Sequence, residues 1–120
     1  MKKPKRSEAD VLRSVKDLLT CRGIWHLRRN VGKVRNPSGQ WVEFGHPGES
    51  DLFAIVRKKL FYDKGAWIAP PTPLFIEVKG SEGKQSLAQE IFQRQVEAEG
   101  CPYLLVRSAS EVNDWLNENT

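Results

Sequence analysis

The sequence predicts an α/β domain, a small mixed β-sheet flanked by helices in the order α-β-β-β-α-β-α. Three observations predict it. Stretches 7–23 and 86–100 carry apolar residues at helical spacing between capping signals. Short apolar runs, "DLFAIV" at 51–56, "LFIEVKG" at 74–80 and "PYLLVRS" at 102–108, read as strands. A helix between the last two favours a crossover and parallel pairing, whereas the short turns ahead of "DLFAIV" favour antiparallel pairing.

Taken in order, residues 1–6 form a basic arm, and 7–120 a single domain of ordinary size. Ser7 is an N-cap with Asp10 three residues on completing a capping box, and Val11, Leu12, Val15, Leu18 and Leu19 make one helical stripe that Gly23 stops. Glu8 falls at the end of that stripe, an unusual place for a carboxylate. "IWHLRRNVG" reads as a strand running into a loop, "NPSGQ" as a turn, "WVEF" as a short strand and "GHPGES" as a second turn. The connection 57–73 is basic and aromatic, suited to a protruding hairpin or an irregular loop. After "LFIEVKG", Ser86 and Gln89 have capping-box spacing, and Ala88, Ile91, Phe92 and Val96 form the second stripe, closed by Gly100. "ASEVNDWL" makes a last short helix.

Composition excludes several classes. Cys21 and Cys101 are the only cysteines and belong to no C-x-x-C pair, which speaks against a disulfide framework or a cysteine-rich zinc site. The basic start runs into the charged "SEADVLRSVKDLL" rather than an apolar segment, and "LFAIV" is too short to span a membrane. The expectation is a cytoplasmic protein with no membrane and no small-molecule cofactor. A net charge of +4 on a chain this small favours a polyanionic partner.

The chemistry concentrates in "LFIEVKG". Side chains two apart on a strand share a face, so Glu77 and Lys79 project together while Ile76 and Val78 face the other layer. Asp51 opens the preceding strand, and in the obvious register it converges with Glu77. Paired carboxylates with a backbone carbonyl suit a hard cation such as Mg²⁺, which completes its shell with water and phosphate. A neighbouring lysine can orient the attacking water or neutralise charge building at phosphorus.

"GESD" at 48–51, "FIEVKG" at 75–80 and Gln89 resemble the D…E-x-K pattern of the PD-(D/E)xK nucleases, and with "YLLVRS" at 103–108 the VRR-NUC family within that superfamily. The likeness runs from about Glu8 to Trp115. It implies a restriction-endonuclease-like fold and a Mg²⁺- or Mn²⁺-dependent DNA nuclease, structure-selective for branched, flapped or junction DNA, of the stand-alone type found in bacteria and phages and tending to act as a homodimer. By position, Asp51 and Glu77 would be metal ligands with the carbonyl of Val78, Lys79 the catalytic lysine, Gln89 a support from the next helix, and Glu8 a carboxylate reaching the metal through water. Ser50 stands where the superfamily has a proline. The alternative is a DNA-binding module of the same fold that does not cut.

Several residues have two readings. Gln89 suits the site and also the reciprocal half of a capping box, and Glu8 suits both the site and the positive end of its helix. Arg28, Arg29, Asn30, Lys33 and Arg35, and the second cluster Arg57, Lys58 and Lys59, suit DNA phosphates or a solvated surface. Phe61, Tyr62 and Trp67 suit stacking on unpaired bases or a dimer interface. Trp25, Trp41 and Trp115 are expected to pack in or near the core.

Overall fold

The computed structural model describes residues 5–29, 32–59 and 61–120. Its elements are α1 (Glu8–Cys21), β1 (His26–Arg28), β2 (Gly32–Arg35), β3 (Trp41–Phe44), β4 (Leu52–Arg57), β5 (Phe61–Asp63), β6 (Ala66–Ile68), β7 (Pro71–Val78), α2 (Leu87–Ala98), β8 (Tyr103–Val106) and α3 (Ala109–Asn119). The main sheet has the order β1-β4-β7-β8. β1 and β7 pair antiparallel to β4, and β8 pairs parallel to β7 across the α2 crossover. The fold is therefore mixed α/β. The predicted order is recovered once the hairpins β2–β3 and β5–β6 are seen as insertions into it.

The period-two pattern decides which face is core. Leu52, Ala54 and Val56 of β4, with Leu74, Ile76 and Val78 of β7, point to one side, where Val11, Val15 and Leu19 of α1 and Val112 and Leu116 of α3 cover them. This core is aliphatic throughout. On the other side lie Phe53 and Phe75, met by Phe92 of α2. Helices thus flank both faces, but unequally, because α2 has no fully buried residue.

Helix ends follow the sequence signals. Ser7 Oγ accepts the Asp10 N–H, but the reciprocal half of the expected box does not form there, Asp being one methylene shorter than Glu, whereas at Ser86 both halves form. Gly23 and Gly100 both take positive φ, and the flanking amides close the last turn onto Thr20 and Leu19, and onto Glu97 and Val96. Arg22 Nη1 then ties the end of α1 to Asn113 and Asn117 of α3.

"IWHLRRNVG" holds the expected strand leaving into a loop, with β1 ending at Arg28; the strand that the sequence reading missed is β2, which begins at Gly32 and pairs with "WVEF" in a separate hairpin. Three expectations need correction. β7 begins at Pro71, not after the prolines. Its partner β8 starts only at Phe75↔Tyr103, so residues 71–73 lie on a local edge where a missing N–H costs nothing. Trp25 and Trp41 are 53% and 62% exposed, because the edge strand and the hairpin that carry them have no covering layer, whereas Trp115 does pack against the core. Ile91 likewise falls on the open side of α2.

The connection 57–73 is a hairpin, turned at Lys64 and Gly65 with positive φ at both. Tyr62 packs edge-on to Trp67 there, and both are exposed. The Phe61 side chain and Asn30 lie outside the described residues. Among those described, no hairpin residue joins the buried core. The radius of gyration is 16.8 Å, against roughly 14 Å for a compact chain of this length.

Truncating the core and the hairpin should therefore give different results. Leu74→Ala is expected to cost about 2–5 kcal/mol and Trp67→Ala less than about 0.5 kcal/mol in urea unfolding. Equal losses would mean the hairpin belongs to the cooperative core.

Candidate metal centre

The β4–β7 register sets Leu52 opposite Ile76, so one step further Asp51 stands opposite Glu77, on the face away from the core. Glu8 arrives from the first turn of α1. Ligand oxygens of Glu8, Asp51 and Glu77 all lie within 4.8 Å of one another. Like charges this close are unfavourable, so the surrounding structure must hold them there.

Each is held by an identifiable contact. Asp51 Oδ2 accepts the Val78 N–H at 2.8 Å, and the Asp51 carbonyl accepts the Arg29 N–H at 2.7 Å. Glu77 Oε1 accepts from Gln89 Nε2 at 2.8 Å. Gln89 Oε1 in turn accepts the Ser86 N–H at 2.9 Å. The helix cap thereby fixes which end of the amide faces Glu77, and both readings of Gln89 hold together. Lys79 Nζ lies 3.6 Å from Glu77 Oε1 and 3.8 Å from Glu8 Oε1, with its side chain only 11% exposed.

Backbone contacts that the sequence reading did not single out position these groups. Gly48, at φ +78°, lies against the first turn of α2, and a Cβ there would stand 2.1 Å from the Ala88 carbonyl oxygen. Only glycine lets the "GHPGES" turn press against the helix that carries Gln89. Gly80 has the same role at α1: a Cβ would fall 2.8 Å from the Arg6 oxygen and 3.0 Å from the Glu8 nitrogen. Ser81 and Arg6 bond reciprocally across this contact, which brings Glu8 to the end of β7. Ser50 is buried and donates to the Leu52 carbonyl. Glu49 locks the turn by accepting from Arg29 Nε at 2.7 Å and from the His46 N–H at 2.8 Å. A signal for Gly48 and Gly80 was present, since each adjoins a predicted site residue or turn, but the partner backbone is visible only in three dimensions.

Glu77 is the focus. The residue is 1% exposed, and its second oxygen, Oε2, has no hydrogen-bond partner. An orphaned buried acceptor costs about 1–3 kcal/mol. Burial first, and then the facing Asp51 carboxylate, push its pKa up to about 8, while Lys79 acts in the opposite sense. A buried carboxylate with one unpaired oxygen, clustered with two further carboxylates, is a donor set for a hard divalent cation, and the residues present fit one. Val78 contributes its N–H to Asp51, and its carbonyl follows Glu77 at the same strand end.

The basic candidates separate. Arg28 adjoins Arg13 and Lys16 of α1 along a surface groove. Arg29 is paired with Glu49, Lys33 with Glu43, and the Arg35 guanidinium lies 5.0 Å from the Trp41 ring. Lys58 and Lys59 follow β4 at its far end, roughly 20 Å along the strand from Asp51, so the fold does not gather them at the carboxylates. Lys5 and Arg6 of the basic arm, and Lys84, unmarked in the sequence, share a groove of about 340 Å³ with Glu8 and Lys79. The thiols of Cys21 and Cys101 are free. No helix among the described residues is long and apolar enough to cross a membrane. The chain matches no protein-family model, no curated protein and no solved structure.

The raised Glu77 pKa gives a pH signature. Its contribution to stability is full below about pH 4.5, the ordinary value, and is lost as pH rises through about 8. In metal-free buffer Glu77→Gln should flatten this loss and raise the melting temperature at pH 8.5 relative to wild type. Wild type and variant with parallel pH profiles would show that the carboxylate is not under this strain.

Proposed function

We propose that this chain is a metal-dependent nuclease that hydrolyses DNA phosphodiester bonds. The observation that carries the reading is the cluster of Glu8, Asp51 and Glu77, whose ligand oxygens lie within 4.8 Å of one another, with Glu77 buried, its Oε2 unpaired, and Lys79 beside it. The D…E-x-K resemblance supports the same chemistry and supplies DNA as the substrate. Asp51 and Glu77 would hold Mg²⁺ or Mn²⁺, with the Val78 carbonyl, and with Glu8 through water. When bound, the ion polarises the phosphodiester and lowers the pKa of water.

The chain's own groups divide the remaining work. Gln89 and the Val78 N–H fix the two carboxylates before substrate arrives, so little reorganisation is needed at reaction. Lys79, its side chain mostly buried beside Glu77, would present its ammonium to a phosphate held at the cluster, offsetting negative charge at phosphorus and orienting the attacking water. Lys5, Arg6 and Lys84 line the approach for the strand's other phosphates. The projecting β2–β3 hairpin, with Lys33 and Arg35, gives a further basic contact away from the cleft. One chain presents one such cluster among the described residues. Cutting both strands in concert therefore needs two copies, and a homodimer suits branched DNA of matching two-fold symmetry. A monomeric mass with and without DNA would remove that part.

The test is cleavage of linear duplex, single-stranded, flapped and four-way-junction DNA in Mg²⁺, Mn²⁺ or EDTA. Cutting should require the metal, rank unpaired or branched substrates above linear duplex, and fall at least about a hundredfold in Glu77→Ala and in Lys79→Ala. Wild type that binds DNA but cuts in neither metal would leave a binding module of the same fold.

A further inference from the structure

The sheet face that carries the carboxylates also carries a pocket. Its residues do not serve the aliphatic core, which lies on the opposite face. Phe53 and Phe75 are direct partners across β4 and β7, with ring centroids 5.3 Å apart, and Phe92 of α2 lies 5.6 Å from Phe75. With Leu27 they line a cavity of about 350 Å³, a volume in the range of small-molecule sites. The Arg29–Glu49 pair stands at its edge, and about half of the Arg29 side chain is exposed there.

Position makes this pocket informative. Phe53 and Phe75 are each two residues from Asp51 and Glu77 on the same strands, so rings and carboxylates share one face. Two strand residues span roughly 6.6 Å, comparable to the reach from a nucleotide's phosphate across its sugar to its base. We propose that the cavity lined by Leu27, Phe53, Phe75 and Phe92 receives an unpaired base of the substrate strand, from a nucleotide flanking the scissile phosphate. This rests on the nuclease reading and narrows its substrate class. A base stacked and paired in continuous duplex cannot enter, so the enzyme acts where a nucleotide is already unpaired, or must extrude one at a cost. The walls are aromatic, and every base has a π-face, so recognition is tolerant of sequence. Arg29 at the edge supplies positive charge for the backbone of the inserted nucleotide.

The experiment uses flapped DNA whose cleavage position is first mapped with wild type. Substrates then carry an abasic site or 2-aminopurine at each nucleotide flanking the cut, assayed with wild type, Phe53→Leu and Phe92→Leu, each checked for folding by its melting transition. An abasic site at one flanking position should lower wild-type kcat/KM by about 5- to 100-fold, the worth of one stacked base. The same abasic site should cost the leucine variants less than about twofold, because the stacking partner is already gone. In EDTA, 2-aminopurine at that position should change its fluorescence on binding wild type and much less on binding the variants. Active wild type that tolerates abasic sites at every flanking position, or an abasic penalty equal in wild type and variants, would overturn the pocket and leave the nuclease standing. Should either variant fail to fold, the wild-type abasic series and the 2-aminopurine signal decide alone, and bound DNA with no fluorescence change at any flanking position overturns the proposal. Wild type that cuts no DNA would sink the nuclease reading itself, and the pocket with it.

Discussion

The antiparallel register of β4 against β7 decides both the core and the site. Setting Leu52 opposite Ile76 puts every other residue of both strands beneath α1 and α3. By the same alternation it leaves Asp51, Phe53, Phe75 and Glu77 on the far side. A slip of one residue would turn the whole aliphatic set away from its helices, so the packing of the core also fixes the separation of the carboxylates. The strain at the site is local and the force that maintains it is distributed. Burial of residues such as Leu19, Leu74 and Leu116 outweighs an arrangement that three carboxylates would not adopt alone.

The supporting shell works by close backbone approach. Two glycines allow it: Gly48 lets the turn before β4 touch the start of α2, and Gly80 lets the end of β7 touch the start of α1. Each contact joins a strand end that carries one carboxylate to a helix start that carries another site residue. Gln89 shows the economy of this plan, since one amide completes the cap of α2 and orients Glu77. Lys79 is confined between the Glu8 and Glu77 oxygens, with the Gly83 loop against its stem.

Much of this was legible in the sequence, because the signals were local. Alternation in "LFIEVKG" placed Glu77 and Lys79 together, capping residues set both long helices, and the obvious pairing brought Asp51 across. What was not legible depended on partners distant in the chain. The split of "IWHLRRNVG" between sheet and hairpin follows from where β4 offers an edge, which no residue of that stretch encodes. Trp25 and Trp41 look like core by composition and lie mostly exposed, because no helix or sheet layer covers them. Lys58 and Lys59 look in sequence like a second basic cluster suited to DNA phosphates, yet a strand's length separates them from Asp51. Lys84 joins the groove beside Lys79 only because the loop after β7 folds back.

Glu77, buried and with one oxygen unpaired, is proposed to be a ligand of a divalent cation that completes it. Calorimetric titration of Mn²⁺ into wild type and Glu77→Gln at pH 7, repeated in buffers of different ionisation enthalpy, tests this directly. Wild type should bind the ion with net proton release, because the raised Glu77 pKa favours a carboxyl that must ionise to coordinate, and Glu77→Gln should lose that binding. Binding of equal strength in both would show that Glu77 is not a ligand and that the cluster owes its geometry to something else.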